Sequence, residues 1–366
     1  MIIDQLEKKG LISPPPFVVS NTAYLAITGS VAYGVADTSV KTRLPDNDVY
    51  GFCIPPKKMI FNYEEIRGFG TPAPSFDQWQ KHGIIDSDAH GGTGQEWDFS
   101  IFNIVKYFEL CREGNPNMID TLFVPENCIL HSTSVGRLVR DHRKMFISKE
   151  VWKKFRGYAW SQMHKMQSKF EGSAELAAII EMEDALGIDR KTTLQEAVDH
   201  KVPHLTEAQS KEYLSLYQDG MKVSGRFEIR KRWGYDLKFA YHLLRLLDEA
   251  QQLIETGEMD LQRAKEAMKA IRRGEWKIDD LIDWAKQKEK ELDIAFTNCK
   301  LPDKAPEDKL KVLLIECLEE HYGSLSDSFQ QPNWAIQALE EMDRSLAKIR
   351  NELYGGRPSK PWWKVW

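Results

Sequence analysis

The dipeptide Gly29-Ser30 is followed, after fifteen intervening residues, by Asp46-Asn47-Asp48. Gly-Ser at the end of a strand allows a tight turn whose backbone N–H groups and hydroxyl can hold phosphate oxygens. Alternate side chains of an extended chain share one face, so Asp46 and Asp48 are expected to project together. Two carboxylates that close repel unless a cation lies between them, and hard oxygen ligands suit Mg²⁺. Asp98 is a candidate third ligand, with Glu96 on the same face of its strand. Three carboxylates plus substrate phosphates can hold two Mg²⁺ ions, an arrangement that clamps the attacking and leaving oxygens of an in-line phosphoryl displacement. Singly, Asp-Asn-Asp after Pro45 is ordinary turn composition and Gly-Ser is common anywhere. Their order at strand ends carries the reading.

Such a constellation needs neighbouring strands to present it. TAYLAITGS, after Asn21, reads as a short apolar strand that stops at Gly29-Ser30. Residues 48–54 read as a second strand, closed by Pro55-Pro56, and 96–102 as a third. Between them, residues 57–95 look like irregular inserted chain, with Pro72, Pro74 and the glycines Gly91, Gly92 and Gly94. Asp86, Asp88 and His90 beside those glycines read as a polar loop, not a metal cluster. Gly91-Gly-Thr-Gly94 lacks the Lys-Ser/Thr of a phosphate-binding loop. Residues 103–113 have helical spacing that ends at Gly114. From about 134 strand signals vanish, and amphipathic helical patterns run through 149–170, 171–187, 207–222, 235–256, 260–273, 278–297 and 306–321. The expected class is α+β: a sheet domain over 1–135, then an α-helical domain over 136–366.

The chain has 366 residues, 42% hydrophobic and 29% charged, which excludes a disordered or collagen-like protein. Five cysteines at scattered spacings, without a CxxC pair, fit a reducing cytoplasm, and the first residues lack a signal-peptide pattern. No run approaches the roughly 18 apolar residues of a membrane span. The net charge of -5 conceals blocks. Residues 1–135 and 171–221 are acidic, whereas 136–170 hold ten Lys/Arg against two Asp/Glu and 222–245 hold seven against two. Folding can set the basic blocks beside an acidic site.

Two basic segments are candidates for polyanion contact. On a helical wheel Lys238, His242 and Arg245 fall within about 60° of one another, opposite a leucine arc. They would form one cationic stripe facing a triphosphate or an RNA backbone, or a solvated face. Asp236 fits a first-turn stabiliser better than a catalyst. Lys153, Lys154, Arg156, Lys165 and Lys169 alternate with Trp152, Phe155, Tyr158 and Trp160. The rings either stack on bases or fill a core. Trp362, Trp363 and Trp366 in the tail are open to the same two readings.

GSVAYG…PDNDVYGF resembles the Gly-Ser/Asp-x-Asp signature of the DNA polymerase beta-type nucleotidyltransferase superfamily. EWDFSIFNIVKYFELCREGNPNMIDTLFVP is similar to the third-carboxylate strand, helix and Gly-Asn-Pro-Asn turn of one branch, and WGYDLKFAYHLLRLLDEAQQLIETGEM to a later helix of it. That branch is the RNA-ligase-associated, RNA-repair nucleotidyltransferases of bacteria and phages. The likeness spans roughly 23–275, with VKTRL as an apparent insertion between Ser30 and Asp46. It implies a polymerase-beta-like domain, a mixed sheet with flanking helices, followed by helices. It implies template-independent transfer of a nucleoside monophosphate from an NTP to a hydroxyl, releasing pyrophosphate. Gly29 and Ser30 would hold the triphosphate, with the Lys238, His242 and Arg245 stripe beside them. Asp46 and Asp48 would bind both Mg²⁺ ions, for which Mn²⁺ can substitute. Asp98 would bind the catalytic metal and help to deprotonate the acceptor. Family members are often encoded beside RNA ligases and end-healing enzymes, so an RNA end of tRNA type is the favoured acceptor. Transfer to a protein hydroxyl, synthesis of small nucleotide messengers and a non-catalytic RNA-binding role are the alternatives.

Overall fold

Short runs of β-branched and aromatic residues bounded by Gly, Pro and Asn set five strands. They are β1 (Thr22–Ile27), β2 (Asn47–Cys53), β3 (Gln78–Asp86), β4 (Gln95–Asn103) and β5 (Ile129–Ser132). The computed structural model describes residues 1–36, 44–61, 75–168, 174–199, 202, 205–223, 227–325 and 341–349. Residues 40–43 of VKTRL, residues 62–74, Lys169, Trp362, Trp363 and Trp366 lie outside them. The strands form one mixed sheet in the order β3-β4-β2-β1-β5, in which β2 and β4 run parallel and the other neighbours antiparallel.

Helices α1 (Ile2–Lys8), α2 (Pro16–Ser20) and α3 (Gly29–Ala32) precede β2. The short α4 (Lys57–Ile60) follows β2, and the turn α5 (Ala89–Gly92) joins β3 to β4. Next come α6 (Ile104–Arg112), α7 (Pro116–Phe123) and α8 (Ser134–Asp141). The helical half holds α9 (Glu150–Ser168), α10 (Ala174–Leu186), α11 (Leu194–Val198), α12 (Glu207–Val223) and α13 (Phe227–Trp233). It continues with α14 (Leu237–Thr256), α15 (Lys265–Arg272), α16 (Ile278–Asn298) and α17 (Glu307–Tyr322). The α+β class is as expected, and each helical pattern read between 149 and 321 forms within a few residues. None of the helices among the described residues is long and apolar enough to cross a membrane.

Residues 57–95 differ from the irregular chain expected. They contain β3, an edge strand whose exposed Gln78, Gln80, Lys81 and His82 carry no apolar alternation. Its register slips between Lys81 and Ile84, at Gly83 (φ +66°), so the period-two signal is broken where it would be read. The glycines Gly91, Gly92 and Gly94 make the β3–β4 turn at positive φ, and Asp86 is buried against Lys9, whose ammonium donates at 2.7 Å.

One face of the sheet, with Leu25, Val49, Cys53, Phe99 and Ile101, packs on Ile3, Leu6, Ile12 and Val18 from the N-terminal helices. The opposite face meets α6 and α7: Phe52 lies 4.7 Å from the Tyr107 ring, and the Tyr24 hydroxyl donates to the Thr121 carbonyl at 2.8 Å. Met1–Pro55 and Phe76–His321 make one compact unit; Pro56–Ser75 and Tyr322–Trp366 make another. In the second, the Lys57 ammonium donates to the Ser324 carbonyl and lies 5.5 Å from the Tyr322 ring centre. Within the first unit, β5 ends at Ser132 and every later described element is helical. The cysteines are thiols, four of them buried, and burial pushes the Cys53 thiol up to about 12.

Candidate active site

Parallel pairing of β2 with β4 sets Asp48 directly opposite Asp98. Residues in register on adjacent strands face the same way, so the two carboxylates rise side by side, on strands roughly 4.8 Å apart. Tyr50 and Ser100, hydrogen-bonded to each other, continue that face. Beside it, β1 runs out through Thr28, whose N–H and hydroxyl both donate to the Asp48 carbonyl, at 2.7 and 3.1 Å. Gly29 then turns the chain at φ +65°, and a Cβ placed on it would overlap Asp48 Oδ2. Glycine is required there twice over, for the left-handed backbone and for the close approach. Gly29→Ala therefore lowers stability by about 1–3 kcal/mol, measured as a shifted urea midpoint.

Ser30 opens α3, and its carbonyl accepts the N–H groups of Val35 and Ala36 at 2.9 and 3.0 Å. This turn is held from a distance. The Tyr33 hydroxyl donates to Asp120 Oδ2 at 2.7 Å, Gln262 donates to the Ala32 carbonyl at 3.1 Å, and the Arg272 guanidinium donates to the Val35 carbonyl. Asp120 is placed by the Gly-Asn-Pro-Asn sequence: Gly114 ends α6 at φ +71°, Asn115 caps α7 by accepting the Asn117 N–H, and Pro116 is its first residue. Arg245 on α14 donates to Asp120, donates to Glu249 at 3.0 Å and lies 4.6 Å from the Tyr33 ring centre. All three charged groups are buried. Burial lifts the Asp120 and Glu249 carboxyls above their ordinary range, opposed by the Arg245 charge.

On the far side, the β3 irregularity meets Asp98. The Gly83 N–H donates to Asp98 Oδ1 at 2.6 Å, and His82 Nδ1 lies 3.8 Å from Oδ2. The Asp48 carboxyl is raised above its usual range, first by burial and then by the Asp98 charge, with Asp46 adding and Lys238 and His82 opposing. Asp46 stands just before β2 and is exposed. Glu96, half-buried, shares the Asp98 face.

Among the described residues, no group of three or more His, Cys, Asp or Glu side chains is placed to hold a metal ion as the side chains stand. The donor chemistry nonetheless fits a divalent cation. Asp48 and Asp98 are hard oxygen ligands at one level of the sheet, and their mutual repulsion, reinforced by Asp46, is what a cation relieves.

The stripe read on α14 is divided by the fold. Lys238 is exposed at the helix start, close enough to lower the Asp48 carboxyl, and Asp236 caps the helix by accepting the Lys238 N–H at 2.9 Å. His242 is half-buried, with its ring 4.3 Å from that of Tyr241. Arg245 turns inside. α14 packs on α9, α15 and α16, leaving no continuous polar face. The structure thus gathers Gly29, Asp48, Asp98 and Lys238, with Asp46 beside them, and sets Arg245 behind Tyr33. Sequence reasoning missed Thr28, Tyr33, His82, Gly83, Asp120 and Glu249. Only Gly83, a glycine amid polar residues, carried a hint of the bulge.

The basic block of 136–170 is largely engaged by carboxylates. Arg143 and Lys144 pair with Glu258, Lys149 with Asp303, Lys154 with Glu113, and Arg156 with Glu289. Trp152 and Phe155 are core; Tyr158 and Trp160 are partly exposed, and the Trp160 indole donates to Glu289 at 2.8 Å.

Comparison with known proteins agrees with this geometry. The model of the RNA repair pathway DNA polymerase beta family matches residues 17–304. No curated protein and no solved structure matches the chain. The match takes in β1 through α16, and so the carboxylate strands, the Gly29 turn and the α14 support together. The chain therefore belongs to the RNA repair pathway DNA polymerase beta family and is a polymerase beta-type nucleotidyltransferase.

Proposed function

We propose that the chain transfers a nucleoside monophosphate from an NTP to a hydroxyl at an RNA end, of tRNA type, without a template and with release of pyrophosphate. The observation that carries this reading is the Asp48–Asp98 pair on parallel strands with the Gly29 turn against the Asp48 carboxylate. Gly29 and Ser30 hold the triphosphate, and Lys238 offsets its charge. Asp46, Asp48 and Asp98 are the residues that would hold two Mg²⁺ ions, or Mn²⁺ in their place. When bound, the ions supply charge neutralisation at the phosphates and a more acidic acceptor hydroxyl. The acceptor oxygen bonds to the α-phosphorus, the bond from that phosphorus to the bridging oxygen breaks, and pyrophosphate leaves with the electron pair. The hydroxyl proton passes to Asp98 Oδ2, the oxygen that the Gly83 N–H does not engage. His242 lies behind Lys238, and Arg245 acts through Asp120 and Tyr33 as a positioning residue. An RNA ligase or end-healing system is the expected functional partner.

The test incubates the protein with each α-labelled NTP, Mg²⁺ or Mn²⁺, and total cellular RNA or protein, resolved by size. Label on RNA, pyrophosphate release and loss of both with EDTA are the expected results. Label on protein would move the acceptor to a protein hydroxyl. A labelled product passing a small-molecule filter would indicate messenger synthesis, and no labelled product would sink the transferase reading.

A further inference from the structure

The sheet order sets the Gly29 turn, at the end of β1, and the edge strand β3 on opposite sides of the Asp48–Asp98 pair. Displacement at phosphorus is in line: the nucleophile approaches opposite the leaving group. With the pyrophosphate end at Gly29 and Ser30, the acceptor oxygen arrives over β4 from the β3 side. We propose that the exposed row Gln78, Gln80 and His82 on that side is the binding surface for the terminal ribose of a single-stranded RNA acceptor. The inference rests on the nucleotidyl-transfer reading and names the acceptor subsite within it.

The row shares a face with the site. Gln78 stands opposite Phe102 and Gln80 opposite Ser100, and the Gln80 amide donates to the Ser100 hydroxyl at 3.3 Å. His82 reaches Asp98, because the irregularity at Gly83 turns the edge strand toward that carboxylate. Bulges beside active sites commonly re-aim side chains in this way. All three side chains are exposed. Lys81 pairs with Phe99 and belongs to the opposite face, so the row holds no lysine or arginine. Its chemistry suits hydroxyls better than phosphates. Each carboxamide offers both a donor and an acceptor, matching a pair of vicinal hydroxyls, and the 2′-hydroxyl is what distinguishes RNA from DNA at a given site.

The probe is a short single-stranded oligoribonucleotide carrying a 5′ fluorophore, compared with otherwise identical strands ending in a 2′-deoxy or 3′-deoxy nucleotide. Binding is read by anisotropy, and NTP binding separately with a fluorescent ATP analogue. His82 is kept because it touches Asp98; the variant is Gln78→Ala with Gln80→Ala. Wild-type protein is expected to prefer the fully hydroxylated end. The double variant should bind it about fivefold or more weakly, lose that preference and retain its NTP affinity. Unchanged RNA affinity, a preserved preference, or no RNA binding by wild-type protein would overturn the assignment. Wild-type protein that binds NTP beside an unaffected variant refutes the β3 subsite alone. Wild-type protein that binds no NTP refutes the transfer reading, and this inference with it.

Discussion

Asp48→Asn lowers incorporation of labelled nucleoside monophosphate by about 10³-fold or more, yet raises the melting temperature at neutral pH by about 2 °C. Both effects come from one carboxylate. Burial, Asp98 and Asp46 all lift the Asp48 carboxyl above its usual range, so its ionised form is worse placed in the folded chain than in the unfolded one. The stability tied to this group is fully present below the ordinary aspartate range and is lost as pH rises through the raised folded value. At neutral pH asparagine removes that burden, and the oxygen ligand with it. Mg²⁺ added to wild-type protein should raise its melting temperature, and should do so less in the variant, because a ligand that binds the folded state stabilises it by mass action. Retained incorporation, or a melting temperature several degrees lower, would remove Asp48 from this role.

Arg245→Ala costs about 3–5 kcal/mol of stability, the largest loss expected from a single substitution in this unit. The guanidinium is buried between Asp120 and Glu249, and its removal leaves two carboxyls without their cation. Asp120→Asn is the milder change, since burial already favours the neutral acid and the amide can still accept from the Tyr33 hydroxyl. Because Asp120 and Glu249 have raised folded values, stability tied to them is present at low pH and is lost as pH rises. Without the Arg245 charge those values rise further, so the variant's deficit should be smaller at about pH 5 than at pH 7. Chemical denaturation at both pH values measures this. Equal deficits would mean that the cluster does not titrate as described. The kinetic signature is a KM for NTP that rises more than kcat falls, since Tyr33 supports the Gly29–Ser30 turn without touching the reacting atoms.

Much of the site could be read from the chain because its parts are local. Gly29-Ser30 ends one strand, Asp48 begins another, and the apolar alternation of 95–103 marks a third on which Asp98 has a fixed face. Gly114-Asn115-Pro116 is likewise a local stop and restart, a left-handed helix end followed by a cap and a helix-starting proline. The helices after residue 149 announced themselves by spacing, which depends only on which side chains must leave water.

What failed were inferences about partners. A wheel placed Arg245 on a polar arc, but a charged residue can enter a core when carboxylates meet it there, and those carboxylates come partly from a helix more than a hundred residues earlier. β3 was invisible because an edge strand with one face toward water needs little apolar alternation, and its bulge shifts what there is. The basic block of 136–170 read as an RNA surface until its charges met Glu113, Glu258, Glu289 and Asp303.

By itself, then, the sequence determined the class of fold, the strands that bear Asp48 and Asp98, and the glycine turn beside them, since backbone sterics and hydrophobic periodicity act over a few residues. Only the tertiary structure decided that Asp48 faces Asp98 in register, that Gly83 engages Asp98, and that Arg245 supports the turn from within. Those depend on strand order and on ion pairs between distant segments, which no local spacing encodes.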